Sequence, residues 1–300
     1  MHETDGDLRV TSPEGVLQAG TARAGEVRWV ATDITGPLEF IRQRRDLSPV
    51  AAAALGRSLA GAAMLLRLAS KTPQRLVLEI RGDGPLRKVM AEADPEGNLR
   101  GLVAEPQVDV PDYPDGKLAV GTAIGSGILQ VLREYDGGGR YHSQVELVSG
   151  EIGADLAHYL RQSEQTSSAV LVGVLGRPGR VAAAGGLVVE ALPGAGEETL
   201  ARLEENLARS REVSRLLERG GMAALQEVAL AGLDAETRES QPLRFLCRCS
   251  RQRLLGHLLG LSEEQLEELG IGGDGEEVAQ AECGFCGEVY LFQPSELRPQ

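Results

Sequence analysis

Apolar and polar positions follow two different periods along this chain, and the change of period marks its organisation. Arg75-Leu76-Val77-Leu78-Glu79-Ile80 predicts a strand closed by the turn Gly82-Asp83-Gly84-Pro85. Gly127 to Leu132 predicts another, followed by a turn at Asp136-Gly137-Gly138-Gly139. Gln144-Val145-Glu146-Leu147-Val148 alternates, as suits an antiparallel strand with one wet face, and the apolar run Ala169 to Leu175 predicts a buried strand. Gly150 to Gln165 reads as helical, with Ile152, Leu156, Tyr159 and Leu160 on one side. Strands joined by tight turns, with helices placed irregularly, predict an α+β fold rather than a regular βαβ series.

The period lengthens after Leu192-Pro193-Gly194. From Glu197 to Gly221 the chain is charged and helical, with Leu200, Leu203 and Leu207 at i, i+3, i+7, then Val213, Leu216 and Leu217. Gly220 and Gly221 are expected to stop this helix, and a shorter one carrying Met222, Leu225 and Val228 follows. The expected organisation is an α+β core over 1–193, an amphipathic helical linker over 194–240, and a small unit over 241–300. A unit of that size needs a staple besides its apolar core.

Composition narrows the class. A hydrophobic share of 42% supports a sizeable core, and only 3% aromatic residues means that Ala, Val, Leu and Ile must fill it. A net charge of −13 argues against a general nucleic-acid binder. The most apolar stretch, Val50 to Ala69, contains Arg57 and Arg67 and is rich in Ala and Gly, so it predicts a buried helix rather than a membrane span. Met1-His2-Glu3-Thr4-Asp5 lacks the basic-then-apolar order of a signal peptide. With 4 cysteines in 300 residues there is no secreted disulfide framework, and a reducing cytoplasm is expected.

Those cysteines carry the chemistry. They form two close pairs, Cys247-Arg248-Cys249 and Cys283-Gly284-Phe285-Cys286, separated by 33 residues. Four thiolates from two short segments suit one tetrahedral zinc ion. Cysteines separated by a single residue also bring their Cα atoms close to the window of about 4.4–6.8 Å that a disulfide needs, and CxxC is a familiar redox-active spacing. The same residues can therefore hold zinc when reduced and form local disulfides when oxidised. Zinc contributes about 10–16 kcal/mol in small peptide domains, against roughly 1.5–2 kcal/mol for each disulfide closing so short a loop. Oxidation is thus expected to unfold the cysteine unit. Arg248, Arg251 and Arg253 are expected to favour thiolates electrostatically. A zinc-dependent transcription or RNA factor is weighed down by five Arg against ten Asp or Glu in 241–300. A thiol oxidoreductase would have no need of the CxC.

Other motifs add no catalytic constellation, and an enzyme is not expected. Gly82-Asp83-Gly84-Pro85 lacks the Lys-Ser/Thr of a phosphate loop. Ser163-Glu164-Gln165 with His158 has no nucleophile elbow around it. His142 and His257 are unremarkable, since four thiolates already complete the site.

With the cysteine pattern in hand, the chain resembles the redox-regulated bacterial holdase chaperones of the thirty-three-kilodalton heat-shock class. The resemblance extends to Val148-Ser149-Gly150-Glu151-Ile152, continuing through Asp155-Leu156-Ala157 and Tyr159 to Ser163-Glu164-Gln165-Thr166. It includes Arg81-Gly82-Asp83-Gly84-Pro85-Leu86 with Ala91-Glu92-Ala93 and Arg100-Gly101, Ala184-Gly185-Gly186 with Leu192-Pro193, and Phe245, Cys247, Cys249 and Ser250. It covers the chain from about residue 45 to the end, whereas residues 1–7 carry no family feature. Departures are the slightly long spacer, Leu102 in place of an aromatic and Ser143 in place of a glycine; none touches a metal ligand.

The resemblance implies a cytoplasmic, ATP-independent holdase, inactive while reduced and zinc-bound, with no nucleic-acid or membrane partner. Peroxide with unfolding stress, or hypochlorous acid, would join Cys247 to Cys249 and Cys283 to Cys286 and release the zinc. The cysteine unit and linker would lose structure, unfolding client proteins would bind, and the active form would be a homodimer. An amphipathic helix held only by docking becomes a sticky surface once released, so Leu200, Leu203, Leu207, Leu216 and Leu217 are the candidate client-binding residues.

Overall fold

Strands from the two ends of the chain interleave into one sheet. The computed structural model describes residues 10–69, 71, 73–210, 212–268 and 278–297. Residues 1–7 lie outside them. The chain divides into two units, one of Ser12–Phe245 and one of residues 10–11 with the segment from Leu246 onward.

Strand β1 (Val10–Thr11) belongs to the second unit and pairs with Leu246 and Cys247. The first unit continues with β2 (Gly15–Ala22), β3 (Val27–Asp33), α1 (Thr35–Arg45) and α2 (Pro49–Leu68), then β4 (Arg75–Gly82), β5 (Lys88–Ala93) and β6 (Asn98–Val103). After α3 (Val120–Ile124) come β7 (Gly127–Glu134), β8 (Arg140–Glu146), α4 (Gly153–Tyr159), β9 (Ser168–Arg177) and β10 (Arg180–Ala191). Helices α5 (Glu197–Arg209) and α6 (Val213–Ala229) lead to β11 (Glu236–Cys247). The sheet order is β8-β7-β4-β5-β6-β11-β2-β3-β10-β9, antiparallel except for the short parallel pairing of β11 with β6. This mixed sheet with helices is the α+β architecture expected.

Helix α2 is the core element. Ser48 caps its first turn by accepting from the Ala51 amide, and Pro49 sits where its missing N–H costs nothing. Length and composition would let it cross a membrane, but 89% of its most apolar window is buried inside the fold. Gly61 permits close packing there, since a Cβ would stand 2.6 Å from Leu156 Cδ1. Arg57, at its edge, pairs with Glu151 Oε2 at 2.7 Å.

The strands at 75–80 and 127–132 are present and slightly longer than expected. The strand expected at 144–148 starts earlier, because β8 pairs with β7 from Arg140 to Glu146. The run 169–175 is a strand but only half-buried; β9 ends the sheet order, so one of its edges lacks a neighbouring strand. The helix expected over 150–165 starts later, because a γ-turn precedes it, and continues beyond Tyr159 as a π-helical turn over Leu160–Glu164. Ile152 has φ 62° and ψ −51°, and the Gly153 amide donates to Glu151 O at 2.6 Å. Buried Asp155 holds this strained turn by accepting from the amides of Val148, Ser149 and Ile152 at 2.8–2.9 Å.

The helix expected over 197–221 is two helices. Ser210, buried at the end of α5, turns its hydroxyl back onto Asn206 O. At Gly220 (φ −155°, ψ 19°) and Gly221 (φ 61°, ψ −153°) the backbone leaves the helical region, so α6 is broken there as expected and a second helical segment runs on to Ala229. Both helices lay their apolar stripe on β3 and β10. Leu203, Val213, Leu217, Met222 and Leu225 join one core cluster with Val27, Trp29, Leu187 and Val189.

Candidate metal centre

The second unit contains α7 (Arg251–Leu258), α8 (Glu263–Glu268), the hairpin β12 (Ala279–Glu282) and β13 (Val289–Phe292), and α9 (Pro294–Leu297). Among its described residues, buried apolar side chains are few. Leu258, Leu266, Ala279, Phe292 and Leu297 form the cluster among the described residues. Such a core cannot hold a unit of this size without help.

Local geometry presents each cysteine. Cys247 is the last residue of β11, and Cys249 directly precedes Ser250, whose hydroxyl caps α7 by accepting from the Arg253 amide at 3.3 Å. The end of a helix with unpaired amides favours a thiolate beside it. Cys283 and Cys286 occupy the turn of the β12–β13 hairpin. There the Gly287 amide donates to Cys283 O and the Cys283 amide to Glu288 O, each at 2.8 Å. Gly287 supplies the positive φ of 71° that closes this knuckle.

The two motifs meet. All four Sγ atoms lie within 4.8 Å of one another, with Cys247–Cys283 at 3.6 Å and Cys249–Cys286 at 3.4 Å. These are non-bonded distances, and all four cysteines are free thiols. Tetrahedral coordination at a metal–sulfur distance near 2.3 Å places sulfurs about 3.8 Å apart, so the donor set fits a metal ion. Cys247, Cys283 and Cys286 are buried and Cys249 is partly exposed.

Electrostatics points the same way. Cys283 is held well below the usual thiol range because Cys247 and Cys286 hydrogen-bond to its sulfur. Cys247 is pushed up to about 12, first by its hydrogen bond to Cys283, and Cys286 is pushed up by its bonds to Cys247 and Cys283. A cation at their centre would favour the ionised form of every sulfur.

Two of the three arginines expected to favour the thiolates, Arg251 and Arg253, have partners besides the sulfurs. Arg251 donates to Glu296 Oε2 at 2.6 Å and to Leu291 O at 3.1 Å, and lies over the Phe292 ring at 4.7 Å. Arg253 donates to Arg248 O at 2.7 Å. Sequence reasoning missed Tyr290, whose hydroxyl lies 3.2 Å from Cys249 Sγ. Its signal was the alternation Val289-Tyr290-Leu291-Phe292, which turns Tyr290 and Phe292 to one face and leaves Val289 and Leu291 exposed on the other. Burial, then its contact with Cys249, raises the Tyr290 pKa.

Of the linker leucines, Leu203 and Leu217 are each 5% exposed in the core cluster, Leu207 and Leu216 pack partly against it, and Leu200 is 39% exposed. Leu200, Leu203 and Leu207 line a groove of about 620 Å³ with Val148, Ala157 and His158. The apparent hydrolase residues are structural. Ser163 Oγ accepts from Ser143 Oγ at 2.8 Å, Glu164 accepts from Arg133 and Tyr159, and His158 contacts Arg161.

Fold and site together define a class: an α+β protein whose C-terminal region carries a compact four-cysteine centre. The family model described as Hsp33 protein matches residues 16–293. Similar proteins include the 33 kDa chaperonin of Thermus thermophilus, 44% identical over 95% of this chain and 86% of that protein. Another is the 33 kDa chaperonin of Symbiobacterium thermophilum, 45% identical over 91% of this chain and 92% of that one. The crystal structure of the 33 kDa chaperonin (heat shock protein 33 homolog) of Thermotoga maritima superposes with a TM-score of 0.85 at 32% identity, over 94% of this chain and 96% of that one. The chain belongs to the Hsp33 family.

Proposed function

We propose that this chain is a redox-regulated holdase that prevents aggregation of unfolding proteins without ATP, and is not an enzyme. The observation that carries the reading is the convergence of four thiols from two distant motifs on one point, in a unit whose apolar core is too small to stand alone. Cys247, Cys249, Cys283 and Cys286 hold one zinc ion in the reduced form; thiolate ligands and tetrahedral spacing favour zinc among abundant cations. An oxidant such as peroxide joins Cys247 to Cys249 and Cys283 to Cys286, the metal leaves, and the redox unit over 241–300 unfolds. The linker over 194–240 then loosens from the core over 1–193 and offers Leu200, Leu203, Leu207, Leu216 and Leu217 to clients. The active form is a homodimer working in the cytoplasm. The names of its relatives, 33 kDa chaperonins, support the chaperone part of this reading.

The test follows zinc, free thiols and suppression of heat-induced client aggregation before and after warm hydrogen peroxide. One zinc and four thiols lost, with holdase activity appearing only then, is the expected result. Zinc retained with activity unchanged would overturn the switch and leave the centre as a staple.

A further inference from the structure

Tyr290 links the hairpin to the CxC motif through a hydroxyl rather than a sulfur. Its hydroxyl stands 3.2 Å from Cys249 Sγ, the partly exposed sulfur of the four. Two features fix it there. Its ring packs against the small cluster around Phe292, and the neighbouring carbonyl of Leu291 is held by Arg251, only two residues beyond Cys249. Arg251 in turn is anchored on Glu296 and on the Phe292 ring. Strand β13 and the start of α7 are thus clamped together, and the hydroxyl is aimed at the sulfur an oxidant meets first.

We propose that Tyr290 is a positioning residue that restrains Cys249: its hydroxyl donates to the Cys249 thiolate, holds it toward the metal and slows its attack on peroxide. The inference rests on the metal-centre reading above. In the restrained step the thiolate attacks one peroxide oxygen, an S–O bond forms, the O–O bond breaks, and hydroxide leaves to become water on taking a proton. A neighbouring thiolate then displaces hydroxide from the sulfenic sulfur and closes the disulfide; two thiols are oxidised and one peroxide is reduced to two waters. A hydrogen bond to the attacking lone pair lowers its reactivity in the first of these steps. Because the hydroxyl sits on β13, any loosening of the hairpin removes the restraint, which couples unfolding stress to the chemistry of the CxC pair.

The experiment compares the metal-loaded full chain with Tyr290→Phe, and with Leu291→Ala on the exposed face of the same strand as a control for general disturbance of the hairpin. Peptide-resolved alkylation and peroxide oxidation give a rate for each cysteine, and a colorimetric chelator gives the rate of metal loss without oxidant. Tyr290→Phe is expected to accelerate Cys249 selectively, and metal loss with it, by about 10-fold, in the range seen when outer hydrogen-bond partners of metal ligands are removed. Leu291→Ala is expected to leave both unchanged. Equal acceleration of all four cysteines, or wild-type rates in Tyr290→Phe, would overturn this inference alone. Wild-type protein carrying no metal as purified would overturn the metal-centre reading and this inference with it.

Discussion

Cys247 and Cys283 bring their sulfurs to 3.6 Å although they stand 36 positions apart in the chain. The contact joins the end of β11 to the turn of the β12–β13 hairpin, so the shape of the second unit and the state of its thiols are one variable. Metal binding of about 10–16 kcal/mol in such units is larger than the whole stability of many domains.

Removing the metal should therefore unfold the second unit and spare the first. Under reducing conditions a strong chelator, or Cys283→Ser, is expected to abolish amide-exchange protection in β12 and β13 while α2 remains protected. Protection unchanged in the hairpin would mean that Leu258, Phe292 and their neighbours suffice without the metal.

The convergence of the four cysteines was legible because it is written in residue type and spacing: a CxC and a CxxC pair share the last fifth of the chain. The strands at 75–82 and 127–134 were legible for a similar reason, since local alternation is bounded by glycine turns. What stayed hidden depends on non-local contacts. Nothing in the order of residues says that β11 inserts between β6 and β2 and joins two groups of strands into one sheet. The γ-turn at Ile152 defeats periodicity because a β-branched residue at positive φ is specified by Asp155 accepting three amides, not by its own propensity. The break at Gly220 and Gly221 was legible, by contrast, because a glycine pair is a local signal, and the segment after it packs Met222 and Leu225 on the sheet.

Asp155→Ala should expose the strain at Ile152. Three amides lose a buried, charged acceptor, and each such loss costs about 1–3 kcal/mol when water cannot replace it. Allowing for relaxation of the turn, a loss of about 3 kcal/mol is expected, a fall in Tm of roughly 6–12 °C for a unit this large. Calorimetry checks it; a shift under 2 °C would show that the turn stands without its carboxylate.

Glu39 makes the first unit acid-sensitive. The Arg42 guanidinium, aided by the Val181 amide and Gln43 and opposed by burial, holds its carboxyl at about 2 against an ordinary 4.5. A folded value below the unfolded one means that the stabilisation is full above pH 4.5 and disappears as pH falls toward 2. After solvent screening it amounts to about 1 kcal/mol. Denaturant melts of wild type and Glu39→Gln should differ by that amount at pH 7 and converge near pH 2; a gap that persists in acid would assign the effect to packing.

The linker leucines give the most direct access to the proposed activity. Leu203 and Leu217 are buried against Val27, Trp29 and Leu187, so a carboxylate at either position would be isolated in an apolar cluster. Burying an unpaired charge costs several kcal/mol, and each substitution also forfeits the burial of a leucine, so the two together oppose docking on both counts. Leu203→Glu with Leu217→Glu should therefore release α5 and α6 while leaving the cysteine unit intact. The expected result is new protease cleavage between residues 197 and 229, with four thiols and the metal retained. If the freed stripe is the client surface, its remaining leucines should also suppress aggregation of a heat-unfolded client without any oxidant, though less than the peroxide-treated wild type with its stripe complete. Helices that come free and leave aggregation untouched would place client binding elsewhere on the chain, and the redox centre would then have to act through a different surface.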